Sequence, residues 1–190
     1  TIREYTEQIK RFNNQLHSLK LLPVPSKETI KSIEKIKAQL EKEVQILEKK
    51  LDQLLKEWQP QQHKSISSVK GIGKRGTAML IIFTQGFKNT HNYRQLISFA
   101  GLSPTEYASG SSIKGNGRIY KKGGKAMRDV LYMCAMNARQ TNPACQALYD
   151  RLRANGKTGK QALIAVMNKL LKQAFAVAKN GTLYQPNYCS

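Results

Sequence analysis

A chain of 190 residues, 40% of them apolar, can bury one ordinary core plus an appendage, and its 7% aromatic content argues against an all-β sandwich. Nine of its twelve acids fall in the first 57 positions, so residues 58–190 set twenty Lys and Arg against Glu106, Asp129 and Asp150 and carry +17 of the formal +20. Such an excess is the electrostatic footprint of a polyanion binder, and three scattered carboxylates cannot assemble the acidic two-metal centre used by most nucleases.

The same inventory narrows the remaining classes. No apolar run approaches the roughly 20 residues of a membrane span. The first residue is Thr1, inside a helical pattern, so the chain is expected to be a piece of a longer protein. Cys134, Cys145 and Cys189 are odd in number and never spaced C-x-x-C, which favours reduced thiols in a cytoplasmic setting over disulfides or a zinc site. His17, His63 and His91 lie far apart, as surface or linker histidines do, and no metal site is expected.

In chain order, the first segment reads as two heptad helices. Ile2, Tyr5, Ile9, Phe12, Leu16 and Leu19 step by three and four, and the pattern stops at Leu22-Pro23-Val24-Pro25. Ser26 is a natural N-cap for the next helix. There Ile30, Ile33, Leu40, Val44, Leu47, Leu51, Leu54 and Trp58 take a and d sites, with Lys37 the single polar break. Residues 1–58 are therefore expected to form a coiled-coil arm, folded back as a hairpin or paired with a second chain. The competing reading is a helical pair packed on its own domain.

Residues 59–63 (Gln59-Pro60-Gln61-Gln62-His63) read as a polar linker, and residues 64–190 as a small all-helical domain. Its helices are expected near 64–69, 75–84, 91–100, 125–140, 143–154 and 159–179, with Asn142-Pro143, Asn155-Gly156 and Asn180-Gly181 as punctuation. The fold class predicted is thus mainly α: a coiled-coil arm, then a helical domain carrying two glycine-rich basic stretches.

The first stretch is Val69-Lys70-Gly71-Ile72-Gly73-Lys74-Arg75-Gly76. It is formally G-x-G-x-x-G, but no strand precedes it and the next acid is Glu106, so a dinucleotide site is excluded. It looks like a helix-hairpin-helix motif. The glycines let the backbone turn tightly and leave consecutive N–H groups at a helix N-terminus for one phosphate, with Lys70, Lys74 and Arg75 around it. Contacts of this kind hold nucleic acid without reading bases.

The second stretch runs from Ala100-Gly101-Leu102-Ser103-Pro104 through Tyr107-Ala108-Ser109-Gly110-Ser111-Ser112 to Gly123-Gly124-Lys125. Lys114, Arg118, Lys121, Lys122, Lys125 and Arg128 lie between Glu106 and Asp129 with no acid among them. Glycines permit close approach of backbone to ligand, and a helix start near Gly124 adds a positive dipole end. A loop serine that hydrogen-bonds phosphate is the plainest reading of the residues alone.

The run FAGLSP…SG…KG.GRI.KKG…R..LY..A resembles the C-terminal domain of insertion-sequence transposases of the IS110 group and the related Piv-type DNA invertases. The resemblance covers about residues 65–155, and the upstream arm occupies the place of that family's linker. One departure is Gly123-Gly124-Lys125, where Gly-Asn is commoner. The resemblance implies that Ser109, immediately before Gly110, is a catalytic serine nucleophile. It further implies an RNase H-like domain whose four acids hold Mg²⁺ outside this chain, a structured guide RNA that selects DNA, action as a homodimer or higher oligomer, and a bacterial or archaeal cytoplasm. Two alternatives stand beside it. One is a tyrosine-type recombinase using Tyr107 or Tyr120 beside Arg118 and Arg128; the other is a non-catalytic DNA- or RNA-binding module with a dimerising arm.

Overall fold

The computed structural model describes residues 1–105, 108–109, 113–114, 118–120 and 123–186; at 105, 108, 109, 113, 114 and 118 only the backbone is described. The chain divides into two compact units, Thr1–Leu54 and Leu55–Ser190.

In the first unit, α1 (Ile2–Lys20) and α2 (Lys27–Trp58) are separated by the proline-containing turn. Ser26 takes the expected cap position, its Oγ accepting the Thr29 N–H at 3.4 Å. The a and d residues of α1 are shielded while their neighbours are exposed, and Leu16 and Val44 are fully buried. Lys20 Nζ lies 3.6 Å from Glu34 Oε1, so the second helix turns back beside the first. This is the hairpin form of the arm, and the seam is covered within one chain. Lys37 sits half-buried in the seam and keeps its ammonium 3.6 Å from Glu41 Oε1, its stem on the apolar stripe and its charge at the rim.

The heptads do not hold to the end of α2. Leu54 and Trp58, expected in the seam, are each 52% exposed, whereas Leu55 is buried and belongs to the second unit. The boundary between the two units falls at this point of α2, so the seam of the arm ends before the helix does.

The expected linker is also mostly helix. In the second unit α3 covers Pro60–Ser67, with Pro60 in the first turn, where its missing N–H costs nothing. His63, expected at the surface or in a linker, is therefore buried on the inner face of α3 beside Ile66. The rest of the unit is α4 (Lys74–Thr84), α5 (Tyr93–Phe99), α6 (Lys125–Thr141), α7 (Pro143–Ala154) and α8 (Gly159–Asn180). α8 is the centre, packed against α3, α5, α6 and α7. Its buried face carries Leu163, Val166, Met167, Leu170, Leu171 and Ala174, the stripe that its 3.6-residue period predicts. Thr158 and Gln161 close a capping box at its start, and Gly181 ends it in the left-handed conformation.

Within this helical frame the described residues between α5 and α6 include two short strand pairs, an inner tier and an outer tier in sequence. β1 (Pro104–Thr105) pairs antiparallel with β4 (Arg118–Ile119), and β2 (Ala108–Ser109) with β3 (Ile113–Lys114). Among the described residues no helix is long and apolar enough to cross a membrane.

Candidate nucleic-acid interface

The turn before α4 is built on α6. Gly71 has a φ of 99°, which L side chains rarely adopt, and a Cβ there would run into Ala138, 2.7 Å from its Cα. Ile72 is buried, while Gly76 lies so close to Cys134 that a Cβ would stand 2.7 Å from its Sγ. Burial raises the pKa of Cys134, and a hydrogen bond from the Gly73 backbone opposes part of that rise. Gly73 differs from its neighbours: among the described residues nothing beyond its own chain neighbours lies within 4 Å of a Cβ placed there. Lys70, Gly73, Lys74 and Arg75 are all exposed, so the turn presents one glycine and three cations outward over a buried base.

Asn142 fixes that base from the other side. It is fully buried, caps α7 by accepting the Cys145 N–H, and donates through Nδ2 to the Lys70 carbonyl at 3.1 Å and to Gln173 Oε1 at 3.0 Å. The Tyr184 hydroxyl donates to Asn142 Oδ1 at 3.0 Å, and the Tyr184 N–H donates to Ser68 Oγ at 2.7 Å. Burial pushes the Cys145 thiol up to about 11 and raises Tyr184, both beside this network. Sequence reasoning took Asn142 only as punctuation before Pro143. Its local role as a cap was legible; its bond to a carbonyl 72 positions away was not.

The loop is fastened at its root. Gly123 passes directly against the Phe99 carbonyl and Gly101 N, with a Cβ position 2.6 Å from the Ala100 carbonyl carbon, so the two ends cross where only glycine fits. Arg128 is drawn into this root: its Nη1 donates to the Gly123 carbonyl at 2.6 Å and to the Ala100 carbonyl at 3.2 Å. Tyr120 N–H donates to the Ser103 carbonyl at 2.8 Å just below β4. Lys125 is exposed in the first turn of α6. Ser109 and Lys114 lie on the outer tier and Arg118 on the inner, described by backbone alone. Gly110, Lys121 and Lys122, with Tyr107, Ser111 and Ser112, lie outside the described residues.

The helix starts follow a division. α5, α7 and α8 are capped by Asn92, Asn142 and Thr158 side chains. α3, α4 and α6 begin at Gln59, Gly73 and Gly124 with no side-chain cap and no acid in the first turn, and of these three α4 and α6 start on glycine. A helix start of that kind leaves backbone N–H groups and the positive dipole end for an anion. The two starts do not converge. The beginning of α4 lies against residues 134–138 of α6, and its far end, at Phe83, lies against Gly124. The helices are therefore antiparallel, and the two starts are on the order of 15 Å apart along the pair by helical rise. That separation suits two different phosphates of one polymer, not a single bound ion.

Phe83 and Phe99 sit beside the second start, a feature absent from the sequence reading. Their ring centroids are 6.4 Å apart, and both are exposed. Among the described residues no group of three or more His, Cys, Asp or Glu could hold a metal ion.

These features define a basic helical domain with two uncapped glycine helix starts, each beside exposed cations. Residues 63–150 match the model of the transposase IS116/IS110/IS902 family. An uncharacterized 43.6 kDa protein of insertion element IS110 from Streptomyces coelicolor is 32% identical over 120 residues, 63% of this chain and 29% of that protein. The pilin gene-inverting protein of Moraxella lacunata is 34% identical over 115 residues, 60% of this chain and 36% of its own length. Residues 63–150 are thus similar to transposases of the IS116/IS110/IS902 family, and the chain is similar to the pilin gene-inverting proteins. The match spans about a third of the length of these curated relatives.

Proposed function

We propose that this chain is the DNA-holding, serine-bearing part of a recombinase that moves or inverts DNA. The observation that carries the reading is the pair of uncapped glycine helix starts, each in a basic stretch, inside the segment that matches the transposase family. In this reading the α4 turn and the start of α6 grip the phosphate backbone through N–H groups, Lys70, Lys74, Arg75 and Lys125. The outer tier of the loop then delivers Ser109. Its Oγ attacks a phosphorus atom, an O–P bond forms, and the P–O bond to one strand end breaks, leaving that end as a hydroxyl. Reverse attack by a strand hydroxyl resolves the link and returns the proton to Ser109. Lys114, Arg118, Lys121 and Lys122 would stabilise charge developing on the phosphoryl oxygens.

Acids held in another domain supply Mg²⁺ and the base for Ser109, and a guide RNA supplies target choice. The arm brings copies together, with the hairpin's outer faces rather than its covered seam as the contact. The whole assembly works in the cytoplasm.

In the complete protein, Ser109→Ala is expected to abolish strand exchange and leave nucleic-acid affinity nearly intact, because it removes the nucleophile and none of the cations. The measurement is recombination of a supercoiled donor–target pair, run beside a binding assay on the same preparations. Exchange that survives in Ser109→Ala removes serine from the chemistry and returns Tyr107 and Tyr120 to contention.

A further inference from the structure

We propose that Phe83 and Phe99 form a stacking platform for an unpaired nucleobase beside the start of α6, an inference that rests on the nucleic-acid reading above. Phe83 lies in the last turn of α4 and Phe99 ends α5. Their planes are tilted by 60°, and they are 41% and 50% exposed. They are not an unfinished piece of core. In the same two helices and the cap that follows, Leu80, Ile81, Leu96 and Ala100 are already sealed at 1% exposure or less. A Cβ on Gly124 would lie 3.9 Å from Phe83 Cε1, so the Phe83 ring lies at the uncapped helix start with the Phe99 ring beside it.

Charge decides what covers this patch. It belongs to residues 58–190, with twenty cations and three acids, next to exposed Lys125 and the positive end of α6. Asp129, exposed one turn further along α6, is the described acid nearest in sequence. A complementary occupant therefore joins a flat apolar face to a negative charge. A nucleotide has both: its phosphate meets the N–H groups and Lys125, and its base meets a ring. In a duplex the base faces are hidden in the stack, so the occupant is a base that has left its pair.

The test uses the whole 190-residue chain and an oligonucleotide carrying 2-aminopurine, offered as a single strand and annealed to its full complement. The wild type is expected to bind both and to quench the fluorophore in the single strand. Phe83→Leu with Phe99→Leu keeps apolar bulk and removes both aromatic faces. This variant should lose the quench and bind the single strand about tenfold more weakly, with duplex affinity unchanged. Phe83→Tyr with Phe99→Tyr should retain the quench, which separates stacking from any loss of fold. Single-strand affinity and quench unchanged in the Leu variant, or equal losses on both substrates, overturn the platform. If the wild type binds neither form at low salt, the nucleic-acid reading itself falls. If it binds both and the Leu variant matches it, the platform alone does.

Discussion

The arm and the second unit use the same lysines and arginines for opposite ends. In the first 57 residues twelve cations stand against nine acids, and they are set in register: Arg3 with Glu7 at 3.1 Å, Lys20 with Glu34 and Lys37 with Glu41 at 3.6 Å. Exposed pairs of this kind are worth ~0.2–1 kcal/mol each, so their main effect is to neutralise a long surface. After Trp58 twenty cations face three acids, so the acids of that stretch can neutralise only a few of them. That unit carries its own repulsion, which its core must offset, and the matching anions have to come from elsewhere. The lesson is that the count of cations says little, whereas their ratio to acids within each unit separates a scaffold from an interface.

The largest effect should come from salt. If the second unit places six to ten cations on phosphates, affinity for duplex DNA should fall by about a thousandfold or more between 50 and 200 mM salt. Lys74→Glu should reduce the slope of log affinity against log salt by about one, and Lys37→Glu in the arm should leave it alone. Equal slopes for all three proteins would erase the contrast between the units.

Next come the two glycines of the α4 turn, which sharpen the contrast to single positions. Gly71→Ala puts a Cβ at a φ of 99° and into Ala138, and should cost about 3 kcal/mol or more of stability, read by denaturant unfolding. Gly73→Ala meets nothing within 4 Å among the described residues and should leave stability within about 0.5 kcal/mol. It should nevertheless weaken nucleic-acid binding by roughly tenfold, because the methyl occupies the approach of the phosphate. Unchanged binding in a stable Gly73→Ala would move the phosphate away from this turn.

In the arm, Val44→Asp buries a carboxylate in the hairpin seam and should cost the first unit about 3 kcal/mol. Helicity should drop while the second unit keeps its own melting transition. A single shared transition, lost as a whole, would show that the two units do not stand independently.

The smallest effect concerns pH. Cys145 in the fold holds its proton up to about 11, above the ordinary 9.0. The neutral thiol is therefore favoured in the folded state, and its contribution is complete below 9.0 and lost as pH climbs towards 11. Tyr184, also raised by burial, adds loss in the alkaline range. Denaturation across this window should show falling stability in the wild type and a shallower fall in Cys145→Ala.

Much of this molecule was legible in its residues because the signals are local and periodic. The stripe of α8, the Ser26 cap and the glycine turns follow from spacing and from what each residue type can do in its own few positions. The end of the arm was not legible, since a heptad count does not show where along a continuous helix the arm stops and the second unit begins, here between Leu54 and Leu55. His63 was misread because Pro60 looked like a break, whereas proline in a first turn opens a helix and carried His63 inward. Phe83 and Phe99 gave no signal at all. Each sits in an ordinary apolar helical pattern, and only the packing of α4, α5 and α6 shows that both were left outside.

The network centred on Asn142 has a consequence for how such a chain is made. It ties the Lys70 carbonyl to Gln173 and Tyr184, residues more than a hundred positions further along. Contacts separated so widely form late, after the loops between them have closed. While the chain leaves the ribosome, the α4 turn is therefore a loose basic segment without its final shape. The final shape of this cationic turn is therefore reached only once Tyr184 has emerged, and any grip on phosphate that depends on that shape comes after it.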